Sequence, residues 1–214
     1  MRQGGMLARL VLIAAIVAGS SYLWVVFQHL DGAGAIAWKG SGVALLAIWC
    51  GMQARSVDGW LITAVMAFGA LGDVLLETHG TEVGAAAFLL GHVVAITLYL
   101  RNRRPILSPS QKLLAIIIVP VVVFKAWSLT GDAMTTIYAL FLALMAATAW
   151  ISRFPRFRTG IGAMLFVASD LLIFARMGAL AAATWVSPLI WIAYFGGELL
   201  IALGVVGHLR EQET

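Results

Sequence analysis

The sequence predicts an all-α protein, a polytopic integral membrane bundle of eight transmembrane helices with both termini on the cytoplasmic side. Three observations predict it: an apolar excess, the recurrence of apolar runs at one length, and basic residues gathered at alternate loops. Hydrophobic residues make up 62% of the 214 positions and charged residues 11%, against roughly 45–50% apolar and about 25% charged in soluble domains. A soluble fold has no place for that much apolar surface. The runs recur at roughly 17–25 residues, the helix length that crosses about 30 Å of hydrocarbon. Helices follow because lipid offers the backbone no hydrogen-bond partner.

In chain order the expected spans are 7–28, 35–53, 60–76, 83–100, 113–129, 133–151, 160–175 and 185–207. The first begins like a secretory signal, with Arg2 and Arg9 ahead of an apolar run and small residues at Ala18 to Ser21. Its apolar run continues through Trp24 to Phe27, so it is kept as a span. The second is interrupted by Lys39 and several glycines. No stretch reads as a separate soluble domain, and residues 1–214 are expected to form one transmembrane domain.

Orientation comes from charge. Eleven of the fourteen Lys and Arg residues fall at the N-terminus, after even-numbered spans or at the C-terminus, leaving Lys39, Lys125 and Arg176 elsewhere. The positive-inside rule then puts both ends in the cytoplasm. The pI near 9.6 has the same origin, since the basic residues are distributed by loop and not on one face; nucleic acid is not an expected partner. A single cysteine, Cys50, excludes an intramolecular disulfide.

Several polar residues interrupt the apolar runs: Lys39, Asp73, His92, Lys125, Asp170 and Glu198, in the second, third, fourth, fifth, seventh and eighth spans. An ionisable group at mid-span costs on the order of 2.5–3.5 kcal/mol on insertion scales, which cancels several leucines. With odd spans running outward, Asp73, Lys125 and Asp170 approach the outer side late in their helices, while Lys39, His92 and Tyr138 lie early or midway in inward-running ones. Glu198 lies slightly deeper. Residues at similar depth on several helices are expected to meet in one polar cavity, where they pair with each other or with water. Gly69 and Gly72 flank Asp73 and permit close helix approach. Tyr194 and Glu198 share a face, as do Tyr138, Leu142 and Met145. An intramembrane His or Tyr also serves as an interhelical strut, and Lys39, Lys125 and Arg176 also read as snorkelling to an interface. Two separate buried carboxylates, Asp73 and Asp170, point more firmly to function.

A short internal similarity supports a duplication. Residues 69–76 (GALGDVLL) and 166–173 (FVASDLLI) share a small residue, an Asp and then aliphatics, and residues 88–96 and 195–203 are a looser pair. This predicts a parallel four-plus-four repeat. On these features alone a membrane enzyme and a proton-coupled transporter or lipid flippase both remain open. Pro120 is the only mid-span proline, so the broken helices common at carrier sites are not evident. A purely structural subunit leaves the two Asp residues unexplained. Catalytic zinc generally takes three protein ligands; His92 is the only clearly intramembrane His, with His29, His79 and His208 at span ends. No metal or other cofactor is expected.

The strings Gly72-Asp73-Val74-Leu75-Leu76, Phe88-Leu89-Leu90-Gly91-His92, Tyr138 to Met145, Gly162-Ala163 to Phe166 and Ser169-Asp170, in this order, resemble the lysoplasmalogenase, or YhhN-like, family of membrane proteins. The resemblance covers most of the chain. Departures are Lys39-Gly40 in place of a Lys-Pro pair, Ala95 where a Tyr commonly follows the Gly-His pair, and Glu198 in place of a Gln four residues after Tyr194. They bear on substrate preference more than on chemistry.

The resemblance implies hydrolysis of the vinyl ether of a lysoplasmalogen to a fatty aldehyde and glycerophospho-ethanolamine or -choline. That reaction needs one acid, one base and an anionic stabiliser, the logic of glycosidases with two carboxyl groups about an oxocarbenium-like transition state. Asp73 and Asp170 are the expected acid and base in either order, and His92 the group that orients one of them or relays the proton. Lys39, Lys125 and Arg176 are candidate phosphate partners, and Tyr138, Ser169, Tyr194 and Glu198 are expected around the substrate. The partners implied are a lysophospholipid with a vinyl ether chain and membrane lipids. Short loops and compact size suggest a bacterial inner membrane.

Overall fold

A computed structural model describes residues 2–212, and side chains from residue 5 onward. The side chain of Arg2, counted above among the basic residues, lies outside the described residues. The described residues form eight α-helices: α1 (Arg2–Gln28), α2 (Ala33–Gln53), α3 (Val57–Thr78), α4 (Thr81–Arg101), α5 (Pro109–Thr130), α6 (Ala133–Ile151), α7 (Ile161–Arg176) and α8 (Val186–Glu211). A π-helical turn, Arg156–Gly160, leads into α7. Among the described residues there is no strand, only an isolated antiparallel bridge between Arg103 and Ser152. All eight helices, α7 taken with its π-helical turn, are long and apolar enough to cross a membrane.

The helices outrun the apolar stretches chiefly at their N-terminal ends, and at α3 and α5 a polar cap and not lipid defines the boundary. Ser56 accepts a hydrogen bond from the Gly59 N–H at 3.2 Å, so α3 starts three residues before Trp60. Ser108 and Gln111 form a reciprocal capping box with Pro109 in the first turn, starting α5 four residues before Leu113. The glycines of α2 do not break it, because Gly40 lies buried against α3: a Cβ there would stand 2.8 Å from Val74 Cγ2. The lost propensity is offset by close helix approach.

The chain divides into two compact units, Met1–Val94 with Val205–Thr214, and Ala95–Gly204. In the first, α2 packs between α1 and α3. At one end of this unit the Arg210 guanidinium donates to Gln53 Oε1 at 2.6 Å, which brings the C-terminal ends of α2 and α8 together. In the second, α6 packs against α5 and α7 through buried Ala139, Ala143, Ala146, Ala147 and Ala149. The loops that follow α4 and α6 are tied to each other. Arg104 Nε donates to the Ser152 carbonyl at 2.7 Å, and Arg153 Nη2 donates to Asn102 Oδ1 at 3.2 Å. Within each unit, then, the C-terminal ends of even-numbered helices share an end, which is also where basic residues concentrate.

Candidate active site

In the second unit the polar centre is built on α7. Gly162 lies against α8, where an added Cβ would stand 2.7 Å from the Gly197 carbonyl oxygen, and Gly197 is equally close to the Gly162 carbonyl. The two backbones are nearly in contact, which only glycine permits. Two turns further along α7, Ser169 and Asp170 are buried, at 0% and 5% exposure. Phe166 and Phe174, one turn to either side of Asp170, are buried on the same face of α7.

Asp170 is held from two directions. The Tyr138 hydroxyl on α6 donates to Asp170 Oδ2 at 2.7 Å. The Ser169 hydroxyl lies within donating distance of both Asp170 Oδ1, at 3.2 Å, and the Phe166 carbonyl, at 3.0 Å. The Tyr138 ring meets Phe174 edge-on, with centroids 6.3 Å apart. On α8, Tyr194 meets Phe166 edge-on at 5.3 Å, and Trp191 stacks on Phe195 at 6.0 Å. Glu198, one turn beyond Tyr194, is 2% exposed and within electrostatic reach of both Tyr138 and Tyr99. The result is a carboxyl-phenol cluster within an aromatic wall. Such a cluster can accept and pass a proton beside an apolar chain.

In the first unit Asp73 on α3 and His92 on α4 are buried, at 2% and 3% exposure. Gly72 receives the ring of Phe88, where a Cβ would stand 2.6 Å from Phe88 Cε2, and Gly91 faces Phe68. These contacts bring α3 and α4 close at the level of the two polar residues. One turn beyond Asp73, Glu77 accepts from Lys39 Nζ at 2.6 Å, the side chains being 46% and 15% exposed. Tyr22 on α1 lies within electrostatic reach of Glu77, Asp73 and Asp31.

Tyr138, Ser169 and Asp170 are joined by hydrogen bonds, with Tyr194 and Glu198 on the adjoining α8. Lys39 is engaged by Glu77, a residue the sequence reading passed over; its spacing of four from Asp73, on the same face of α3, was the available signal. Lys125 is exposed on α5, and Arg176, also exposed, donates to Ser187 Oγ at 2.9 Å. Among the described residues no three His, Cys, Asp or Glu side chains are grouped to hold a metal ion. A small cavity in the first unit, lined by Cys50, Gln53, Arg55, Ser56 and Arg210 among others, adjoins the start of α3. It is therefore on the order of 20 Å along that helix from Asp73, at 1.5 Å per residue, and belongs to the arginine-rich end.

Eight apolar helices carrying buried carboxyl groups define the class: an integral membrane protein with polar centres built into its spans. The chain belongs to the YhhN family, whose model matches residues 34–205. It is similar to proteins named lysoplasmalogenase from Mycobacterium bovis (strain ATCC BAA-935 / AF2122/97) and Mycobacterium tuberculosis (strain CDC 1551 / Oshkosh). Each is 32% identical over 158 residues, which take in 68% of this chain and 59% of the relative. The chain thus spans about 59% of the length of the curated relatives it matches. No solved structure matches it.

Proposed function

We propose that this protein is a membrane hydrolase that cleaves the vinyl ether bond of lysoplasmalogens, releasing a fatty aldehyde and a glycerophospho-ethanolamine or -choline. The observation that carries the reading is the buried Asp170, held by Tyr138 and Ser169 within an aromatic wall, in a chain similar to proteins named lysoplasmalogenase.

The reaction is balanced by water alone. A proton adds to the β-carbon of the vinyl ether, the π electrons form the new C–H bond, and an oxocarbenium ion remains. Water adds to the cationic carbon and loses a proton to a base. The hemiacetal then collapses to the aldehyde and the glycerol hydroxyl. Asp170, whose oxygens accept from two hydroxyl groups, is suited to stabilise the cation and take the proton from water. Tyr138 acts through Asp170 as a positioning residue. The sequence expectation pairs Asp170 with Asp73 as acid and base in either order, with His92 orienting one of them or relaying the proton; with Asp170 as the base, Asp73 is the proton donor. Tyr194, Glu198 and the rings of Phe166 and Phe174 receive the apolar chain and the vinyl ether.

Purified protein in detergent, given a lysoplasmalogen, should release aldehyde, and a saturated 1-O-alkyl lysolipid should stay intact. Absence of aldehyde across vinyl ether lysolipids overturns the proposal. For Tyr138→Phe, which deletes one hydroxyl, kcat should fall about 10- to 100-fold with KM little changed, a loss of roughly 1.4–2.7 kcal/mol of transition-state stabilisation. An unchanged kcat would remove Tyr138 from the mechanism.

We further propose that both termini face the cytoplasm, in a bacterial inner membrane, and that residues 1–214 form one transmembrane domain built on a four-plus-four repeat. The distribution of basic residues supports the orientation. Cys50, the only cysteine, is buried at 1% exposure, so introduced thiols report with little background. An impermeant maleimide added to intact cells should label His79→Cys and spare Glu211→Cys; the reverse pattern inverts the topology.

A further inference from the structure

The Lys39–Glu77 pair is poorly explained as a structural staple. An ion pair open to solvent on one side contributes little to a fold, and α2 and α3 already meet through Gly40 and Val74. The pair has a direction. Lys39 lies six residues inside α2, about 9 Å from its start, whereas Glu77 is one residue, about 1.5 Å, from the end of α3. Exposure follows the same order, 15% for the lysine side chain and 46% for the glutamate. The two charges meet 2.6 Å apart, but the cation is anchored further from its helix end and is the more enclosed, and the anion is the more open.

A lysolipid whose chain lies among the helices presents its charges in the opposite signs and the same order. The phosphate comes first, next to the glycerol, and an ethanolamine ammonium follows further out. The two ion pairs are therefore exchangeable: Lys39 to phosphate, Glu77 to ammonium, each a charge-assisted hydrogen bond. An anionic head has no partner for Glu77 and meets repulsion there.

We propose that Lys39 and Glu77 together read the head group, selecting zwitterionic phosphoethanolamine lysolipids over anionic ones. The assignment rests on the hydrolase reading for its substrate, and on the observed ion pair for its residues. Glu77 is here a specificity-determining residue and takes no part in bond cleavage.

Binding tests this without turnover. Saturated 1-O-alkyl lysolipids, which have no vinyl ether to cleave, are titrated into purified protein with either a phosphoethanolamine or a phosphoglycerol head. The native protein should favour ethanolamine by about tenfold or more, the effect of one charge-assisted hydrogen bond, and Glu77→Gln should bring the ratio near one. The double exchange Lys39→Glu with Glu77→Lys keeps the ion pair while reversing its direction. It should retain the native thermal stability and still lose the preference. A native ratio near one, or a preference that survives the exchange, overturns the proposal. Aldehyde release without head-group preference sinks this inference and leaves the hydrolase standing; preference without aldehyde release does the converse.

Discussion

Replacement of Asp170 by Asn should lower aldehyde release by about 10²–10⁴-fold, the contribution usual for a positioned acid or base, while leaving the protein folded. The two halves of this expectation have separate causes. Asn has nearly the volume of Asp, and its amide oxygen can still accept from the Tyr138 hydroxyl 2.7 Å away in the native protein, so the packing between α6 and α7 survives. What disappears is the carboxylate that, in the proposed mechanism, stabilises the oxocarbenium ion and takes the proton from water. The loss should therefore appear in kcat, with thermal unfolding in detergent close to native. Asp73→Asn, examined beside it, should show a loss of comparable size if Asp73 is the proton donor. An Asp170→Asn protein at full rate would remove the buried carboxylate from the reaction.

The second large effect is on folding. A Cβ on Gly162 would lie 2.7 Å from the Gly197 carbonyl oxygen and 3.0 Å from the Ile201 nitrogen, both backbone atoms that no rotamer change can move. Gly162→Val must therefore part α7 from α8, at a cost of about 1–3 kcal/mol or more, as for overpacking of a tight core. The melting temperature should fall clearly. Activity should fall with it, because Gly162 lies two turns from Asp170 on the same helix. Gly196 is the control: it lies one residue from Gly197 on α8, and an added Cβ there meets nothing within 4 Å. Gly196→Ala should leave stability unchanged or slightly raised. Equal melting temperatures for Gly162→Val and Gly196→Ala would show that the close approach of α7 and α8 is not needed.

The spans were legible because membrane crossing imposes one length on apolar sequence, and α6 matches its expected range of 133–151. Helix starts were less so. Ser56 and Ser108 carry helix geometry outside the apolar run through backbone hydrogen bonds that hydropathy does not register. For the site, Asp73, His92 and Asp170 stood out because a buried polar group is costly in lipid. Their neighbours did not, since periodicity gives the face on which a side chain lies but not the helix opposite. Tyr138 was foreseen on an inward face, yet its donation to Asp170 depends on how α6 packs on α7. Glu77 escapes a sequence reading because a glutamate at a helix end reads as an interfacial charge until its partner is seen, and for the same reason the sequence leaves Lys39 open as a phosphate partner or a snorkelling side chain.

In the proposed hydrolysis the vinyl ether is opened by proton addition to carbon. Its most direct test is hydrolysis of a lysoplasmalogen in D2O, with the aldehyde trapped as it forms by enzymatic reduction so that later exchange cannot label it. One deuterium on carbon 2 of the trapped product, the former β-carbon, is the predicted result. Aldehyde formed with no deuterium at that carbon would rule out protonation of the β-carbon.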